Sequence, residues 1–111
     1  MIEEIEPRWK KLIAKLNLRF DADIDIQAII FLIGLQELGQ GYRKYKKDEK
    51  LNIMHVAVCT LLEPYSYYHF IGKDEDNWPH WDVTEKLPNL KPGQQLVLMK
   101  EAILAYFEKE F

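Results

Sequence analysis

One cysteine in 111 residues leaves no disulfide framework to hold this chain together. That residue, Cys59, lies inside an apolar run, which points to a reducing compartment. There is no CxxC, no HExxH, no GxSxG and no Glu-x-x-His, so the usual zinc, redox, hydrolase and di-iron signatures are missing. Glycine is sparse: the five glycines never form a phosphate-cradling loop. Positive charge is also short, with a net charge of -3 and a pI of about 5.6. An acidic domain repels nucleic acid unless a basic patch is segregated on one side. No apolar run is long enough for a membrane, since a spanning helix needs about 20 residues. The first residues, MIEEIEPRW, are acidic and do not read as a secretory signal. These absences lead to an expectation of a cytoplasmic protein with no cofactor, no metal, no nucleic acid and no membrane among its partners.

What is present is apolar residues, 48% of the chain, enough for a core without metal or disulfides. They are densest in Ile24–Gly39, IDIQAIIFLIGLQELG, which is apolar without a break from Ala28 to Ile33. A helix that is apolar around most of its circumference has no face to give to water. The remaining elements should therefore enclose it. Asp25 is the expected N-cap, with Ile24 and Ile29 placed for a hydrophobic staple, and Gly39 or Gly41 should close the helix. Glu37 stands out in the last turn, where the helix dipole disfavours a carboxylate. If buried it needs a cation, and Arg43 and His55 are the nearest in sequence.

The other helices follow from periodicity. A first helix over about Glu6–Asn17 should bury Trp9, Leu12, Ile13, Leu16 and Phe20, with Pro7 in its first turn and Glu3, Glu4 and Glu6 at its positive end. A third should begin with Asp48 as N-cap, run to about Glu63 and bury Leu51, Met54, Val58, Leu62 and Tyr65, with Ala57 and Leu61 beside that stripe. On its edge His55, Cys59 and Glu63 stack four residues apart, which would suit a metal edge or a Cys–His pair, though packing accounts for a lone helical Cys. A fourth should open at Lys91-Pro92-Gly93 and bury Leu96, Met99, Ile103 and Tyr106. The basic cluster Tyr42–Lys47, YRKYKK, reads as a solvated connection rather than a base-stacking site.

Between the third and fourth helices lies YSYYHFIGKDEDNWPHWDVTEKLPNL. It carries Tyr65, Tyr67, Tyr68, Phe70, Trp78 and Trp81, six of the fourteen aromatic residues. A structureless loop of this length is uncommon in a compact domain. Either it packs down through its aromatics, or Tyr67–Ile71 and Trp78–Val83 pair as a hairpin across GKDEDN. In the hairpin, Pro79 would confine its strand to an edge. Asp74 and Asp76 resemble the start of a calcium loop whose remaining ligands are missing. His69 and His80 read as polar tips on an aromatic surface.

The expected fold is thus all-α (mainly α): one domain over residues 1–111 of about four helices packed around a buried central helix, with an aromatic-rich loop or short β-hairpin between helices 3 and 4. Two classes of function remain open. One is a protein-interaction module that binds a protein partner or self-associates as a homodimer. The other is an enzyme or small-ligand binder with a pocket near Glu37, His55 and the Tyr67–Trp81 segment. The candidate binding residues are Tyr67, Tyr68, His69, Trp78, His80, Trp81, Glu37 and His55, and no catalytic residue is assigned.

Overall fold

A computed structural model describes the backbone of residues 2–41 and 43–110, and the side chains of 5–41 and 43–109. Tyr42 and the side chains of Glu3 and Glu4 lie outside these described residues. The elements run α1 (Ile2–Phe20), α2 (Ile26–Leu38), α3 (Lys47–Leu62), a 3₁₀ turn (Glu63–Tyr65), β1 (Tyr68–Lys73), β2 (Pro79–Val83) and α4 (Pro92–Glu110). The described residues are mainly helical, with one antiparallel strand pair. No described helix is long and apolar enough to cross a membrane. Residues cluster into two compact units, 1–29 with 90–111, and 30–89.

In the first unit, α1 begins earlier than periodicity suggests and runs through Pro7, which lies inside the helix. The missing proline N–H removes one ladder bond. Burial of Ile5 on the preceding turn favours the longer helix. Trp9 and Leu16 are buried as expected, whereas Phe20 is exposed. Asp21 takes a left-handed conformation (φ 48°), and the Ala22 N–H reaches back to the Asn17 carbonyl at 3.2 Å. The Asn17 side chain then accepts from the Ile24 N–H at 2.7 Å, fixing the turn toward α2. Asp25 is the N-cap: its Oδ1 accepts from the Ala28 N–H at 2.8 Å. In α4, Pro92 occupies the first helical position, and Gln94 Oε1 accepts from the Lys91 N–H at 3.1 Å. Ala102, Ile103 and Leu104 are buried, while Leu96, expected on the buried stripe, is exposed. Arg8 pairs with Glu108, and Lys100 reaches Glu6 at 3.0 Å while lying 5.5 Å from the Trp9 ring centroid. These links tie α1 to α4.

The second unit holds α2 from Ile30 onward. Every residue from Ala28 to Leu35 is buried or half-buried, as a helix with no polar side requires. Its end is a Schellman motif. Gly39 sits at φ 66°, its N–H donates to Gln36 at 3.1 Å, and the Gln40 N–H donates to Leu35 at 3.0 Å. Leu35, Tyr45 and Ile53 form a core cluster against which Phe31, Leu38 and Trp78 pack. The Tyr45 hydroxyl donates to the Gly41 carbonyl at 2.7 Å, and Arg43 lies 4.1 Å from the Tyr45 ring centroid.

Helix α3 starts at Lys47 with Lys46 as N-cap, so Asp48 is inside the first turn rather than capping it. The capping carboxylate is Glu49, whose Oε1 accepts from the Lys46 N–H at 2.9 Å while Oε2 meets Arg43 at 3.0 Å. The Lys46 N–H, then Arg43, holds the Glu49 carboxyl below its ordinary pKa. The buried face of α3 is Ile53, Val56, Ala57, Leu61 and Leu62, with Cys59 beside it. Ala57, Leu61 and Leu62 are buried as expected, but the rest of the stripe is corrected: Leu51 is exposed, and Met54, Val58 and Tyr65 are only half-buried.

Candidate functional site

The site is built by the way α3 ends. Pro64 cannot continue the α-helical ladder, and the chain tightens into the 3₁₀ turn Glu63–Tyr65. Ser66 then adopts a left-handed conformation (φ 65°). Its N–H donates to Glu63 at 2.8 Å and the Tyr67 N–H donates to Leu62 at 3.4 Å. This is the same closure as at Gly39, carried by a serine. It turns the chain into β1. Thr84 closes the base of the hairpin: its N–H donates to the Tyr67 carbonyl at 3.0 Å and its hydroxyl to the Ser66 carbonyl at 2.6 Å.

The hairpin pairs Tyr68 with Val83, His69 with Asp82 and Phe70 with Trp81, then shifts register at Ile71 to pair Gly72 with His80 and Lys73 with Pro79. Ile71 is thus the extra residue of a β-bulge. The Thr84–Tyr67 bond sets the alternation of the ladder. The backbone groups of Asp82 and His80 face β1, and those of Val83, Trp81 and Pro79 face away. Proline therefore sits where its missing N–H costs no ladder bond, on an edge as expected.

Asp74 organises the turn. Its Oδ1 accepts from the N–H groups of Asp76 (2.9 Å) and Trp78 (3.0 Å), and its Oδ2 lies 2.8 Å from His80 Nε2. The Asp74 N–H donates to Trp78 at 2.9 Å, and Asn77 supplies the left-handed residue at φ 64°. His80, then the Trp78 N–H, draws the Asp74 carboxyl below its ordinary 3.8. A folded-state pKa below the unfolded one contributes stability that is full above the unfolded value. It is lost as pH falls through the lower, folded value. We expect the Trp78 and Asp76 amides to lose protection from hydrogen exchange only below roughly pH 4. Asp74→Ala should lose that protection at neutral pH and show no further acid step. Wild-type-like protection in Asp74→Ala would show that the turn does not depend on this carboxylate.

Alternation places Tyr68, Phe70, Trp81 and Val83 on one face of the hairpin, and His69, His80 and Asp82 on the other. The first face meets the end of α3. Trp81 Nε1 donates to Glu63 Oε1 at 2.9 Å, and the Phe70 and Trp81 rings meet edge-on at 5.3 Å. The Tyr68 ring meets His55 edge-on at 6.4 Å. The face is only partly covered: Phe70 is 42% exposed and Val83 60%, and the bulged Ile71 is 56% exposed. A shallow cleft of about 270 Å³ lies alongside, lined by Glu63, Ser66, Tyr68, His69, Phe70 and Thr84.

His55 and Cys59 come together as the helical spacing suggests, and Tyr68 joins them from β1. Cys59 Sγ is 3.5 Å from His55 Nε2. Burial, with a smaller contribution from Glu63, pushes the Cys59 thiol up to about 11. At neutral pH it is a thiol, whereas both nucleophilic attack and metal ligation use the thiolate. Burial also raises the Tyr68 phenol, and Cys59 adds to the shift. Among the described residues no group of three or more His, Cys, Asp or Glu is placed to hold a metal ion.

The other candidates are dispersed. Trp78 is half-buried against Leu35, Tyr45 and Ile53, so it anchors the turn to the core. Tyr67 stacks on Tyr65 at 5.6 Å. Glu37 is exposed in the last turn of α2, and Arg43 forms an ion pair with Glu49. Burial therefore does not force a cation on Glu37. Neither Glu37 nor His55 lines the cleft. The sequence candidates omitted Phe70, Ile71 and Val83. The available signal was the alternation of apolar residues flanking the polar turn, and it pointed to pairing without saying which face stays open. Comparison with known proteins adds no likeness: no family model, curated protein or solved structure matches this chain.

Proposed function

We propose that this chain is a protein-interaction module whose contact surface is the hairpin β1–β2. The observation that carries it is the exposure of Phe70, Ile71 and Val83 together on one two-stranded sheet. Apolar side chains gathered on an exposed element mark interaction sites more often than scattered ones do. Neighbouring Tyr68 and Trp81 add aromatic area, with polar tips that fix orientation. In this proposal α2 is the element that the other helices enclose, a role supported by its unbroken burial from Ala28 to Leu35. The hairpin is then left for a partner. A small-ligand pocket around Glu37, His55 and Tyr67–Trp81 has less support, because the cleft is shallow and two of those residues are not in its walls.

The test uses the double variant Phe70→Ser/Val83→Ser. If these side chains form a surface, the variant should melt close to wild type, within about 1 kcal/mol for two exposed sites. A hydrophobic dye should bind wild type and bind the variant much less. A loss of about 3 kcal/mol or more would place both residues in the core. That loss, or equal dye binding by the two proteins, would end the proposal.

A further inference from the structure

The partner of this surface is a second copy of the chain. We infer that two molecules join through the outer edge of β2, antiparallel, with Trp81 opposite Trp81 on the two-fold axis. This inference rests on the hairpin being an interaction surface and commits it to one occupant. Among the described residues β1 is the only strand paired with β2. The ladder alternation leaves the backbone groups of Trp81 and Val83 pointing away from β1. The outer edge of β1 is poorly suited to pairing, because the bulge at Ile71 breaks its regularity and Lys73 ends it. The edge of β2 has no bulge, and its proline is at the first residue.

Charge complementarity selects the register. If Trp81 opposes Trp81, then His80 opposes Asp82 of the second copy, and Asp82 opposes its His80. Both pairs fall at positions without backbone bonds, where opposite side chains approach most closely. Sliding the strands to centre on Asp82 would instead set two carboxylates face to face. Asp74 Oδ2 lies 2.8 Å from Nε2 of His80, which leaves Nδ1 to face the second copy's Asp82. The backbone also fits. The two Trp81 residues exchange both N–H···O bonds, and each Val83 N–H meets the Pro79 carbonyl opposite. The missing proline N–H forfeits only the return bond. On the other face Trp81 meets Trp81, and Val83, 60% exposed in one copy, meets Pro79, which is half-buried. The product is a four-stranded sheet with isologous contacts, as two-fold symmetry requires.

The full chain should sediment as a dimer that dissociates on dilution. Val83→Pro removes only an outward N–H, so the hairpin should keep its protected Trp78 and Asp76 amides while the dimer is lost. His80→Glu sets two carboxylates opposite one another, Asp82→Lys removes the carboxylate that meets His80, and each should weaken self-association at least tenfold. Mixed together, they set the introduced lysine against the introduced glutamate and keep His80 against Asp82, and should form a heterodimer. Wild type that stays monomeric at about 1 mM, a concentration at which even a weak complex is half formed, would overturn the inference. So would a Val83→Pro chain that dimerises like wild type, or a mixture that fails to recombine. If dye binding still separates wild type from Phe70→Ser/Val83→Ser, the interaction surface survives and only its occupant is wrong.

Discussion

Replacing Ile33 with aspartate is expected to leave a chain without a cooperative fold. Ile33 is 1% exposed, in the middle of the run in which no residue from Ala28 to Leu35 reaches water freely. A carboxylate there would have to ionise without a partner or fold as the neutral acid with its hydrogen bonds unmet. Either route costs several kcal/mol, against a total stability of about 5–15 kcal/mol for an ordinary domain. Ile30→Asp should behave the same way, since Ile30 is also buried. Leu35→Ala keeps the chain apolar but empties part of the Leu35–Tyr45–Ile53 cluster, and should cost about 2–5 kcal/mol. Gln27→Asp is the control. It is exposed in the first turn of α2, where the helix dipole favours a negative charge. Circular dichroism, thermal melts and solubility would read all four. An Ile33→Asp protein that melts like wild type would show that α2 is not a core element.

The readable parts of this sequence are those where one local rule acts without competition. The burial of α2 follows from composition alone, and Asp25 caps it by accepting from the Ala28 N–H, the ordinary role of an Asp three residues before its donor. The hairpin was readable as one of two alternatives, since alternating apolar residues flank a polar turn and Pro79 is tolerable only on an edge. The face of α3 was not readable. Ile53, Met54, Val56, Ala57, Val58, Cys59, Leu61 and Leu62 offer two overlapping stripes, and periodicity cannot choose between them. Its start was hidden for a similar reason. Asp48 is a better intrinsic cap than Lys46, but Glu49 reaches back to the Lys46 N–H and engages Arg43. The candidate site was half readable. Aromatic density located the segment, but nothing local says that Trp78 turns into the core while Phe70 and Val83 stay exposed. Asp74 looked like part of a calcium loop, whereas the structure employs its carboxylate in the turn itself.

One residue of α2 that meets the buried face of α3 gives the last prediction. A Cβ on Gly34 would lie 2.3 Å from the Ile53 carbonyl oxygen and 2.7 Å from Ile53 Cγ2. The two helices therefore touch backbone to backbone here, and Ile53 is 2% exposed. In an exposed helix, glycine to alanine gains about 1 kcal/mol, because alanine gives up less chain entropy on folding. Gly34→Ala should do the reverse and lose about 1–3 kcal/mol or more, because the backbone must part to admit the methyl group. Gly93 supplies the contrast: it lies in the first turn of α4 with open space around its Cβ position, so Gly93→Ala should be neutral or stabilising. A second variant separates the two collisions at Gly34. Ile53→Ala removes Cγ2 but leaves the carbonyl oxygen in place. If the backbone contact dominates, Gly34→Ala should still destabilise an Ile53→Ala background. Urea melts of the four single and double combinations form a complete cycle. Full rescue by Ile53→Ala would mean that the side chain alone sets the approach. A stabilised Gly34→Ala would mean that the helices do not meet at this residue.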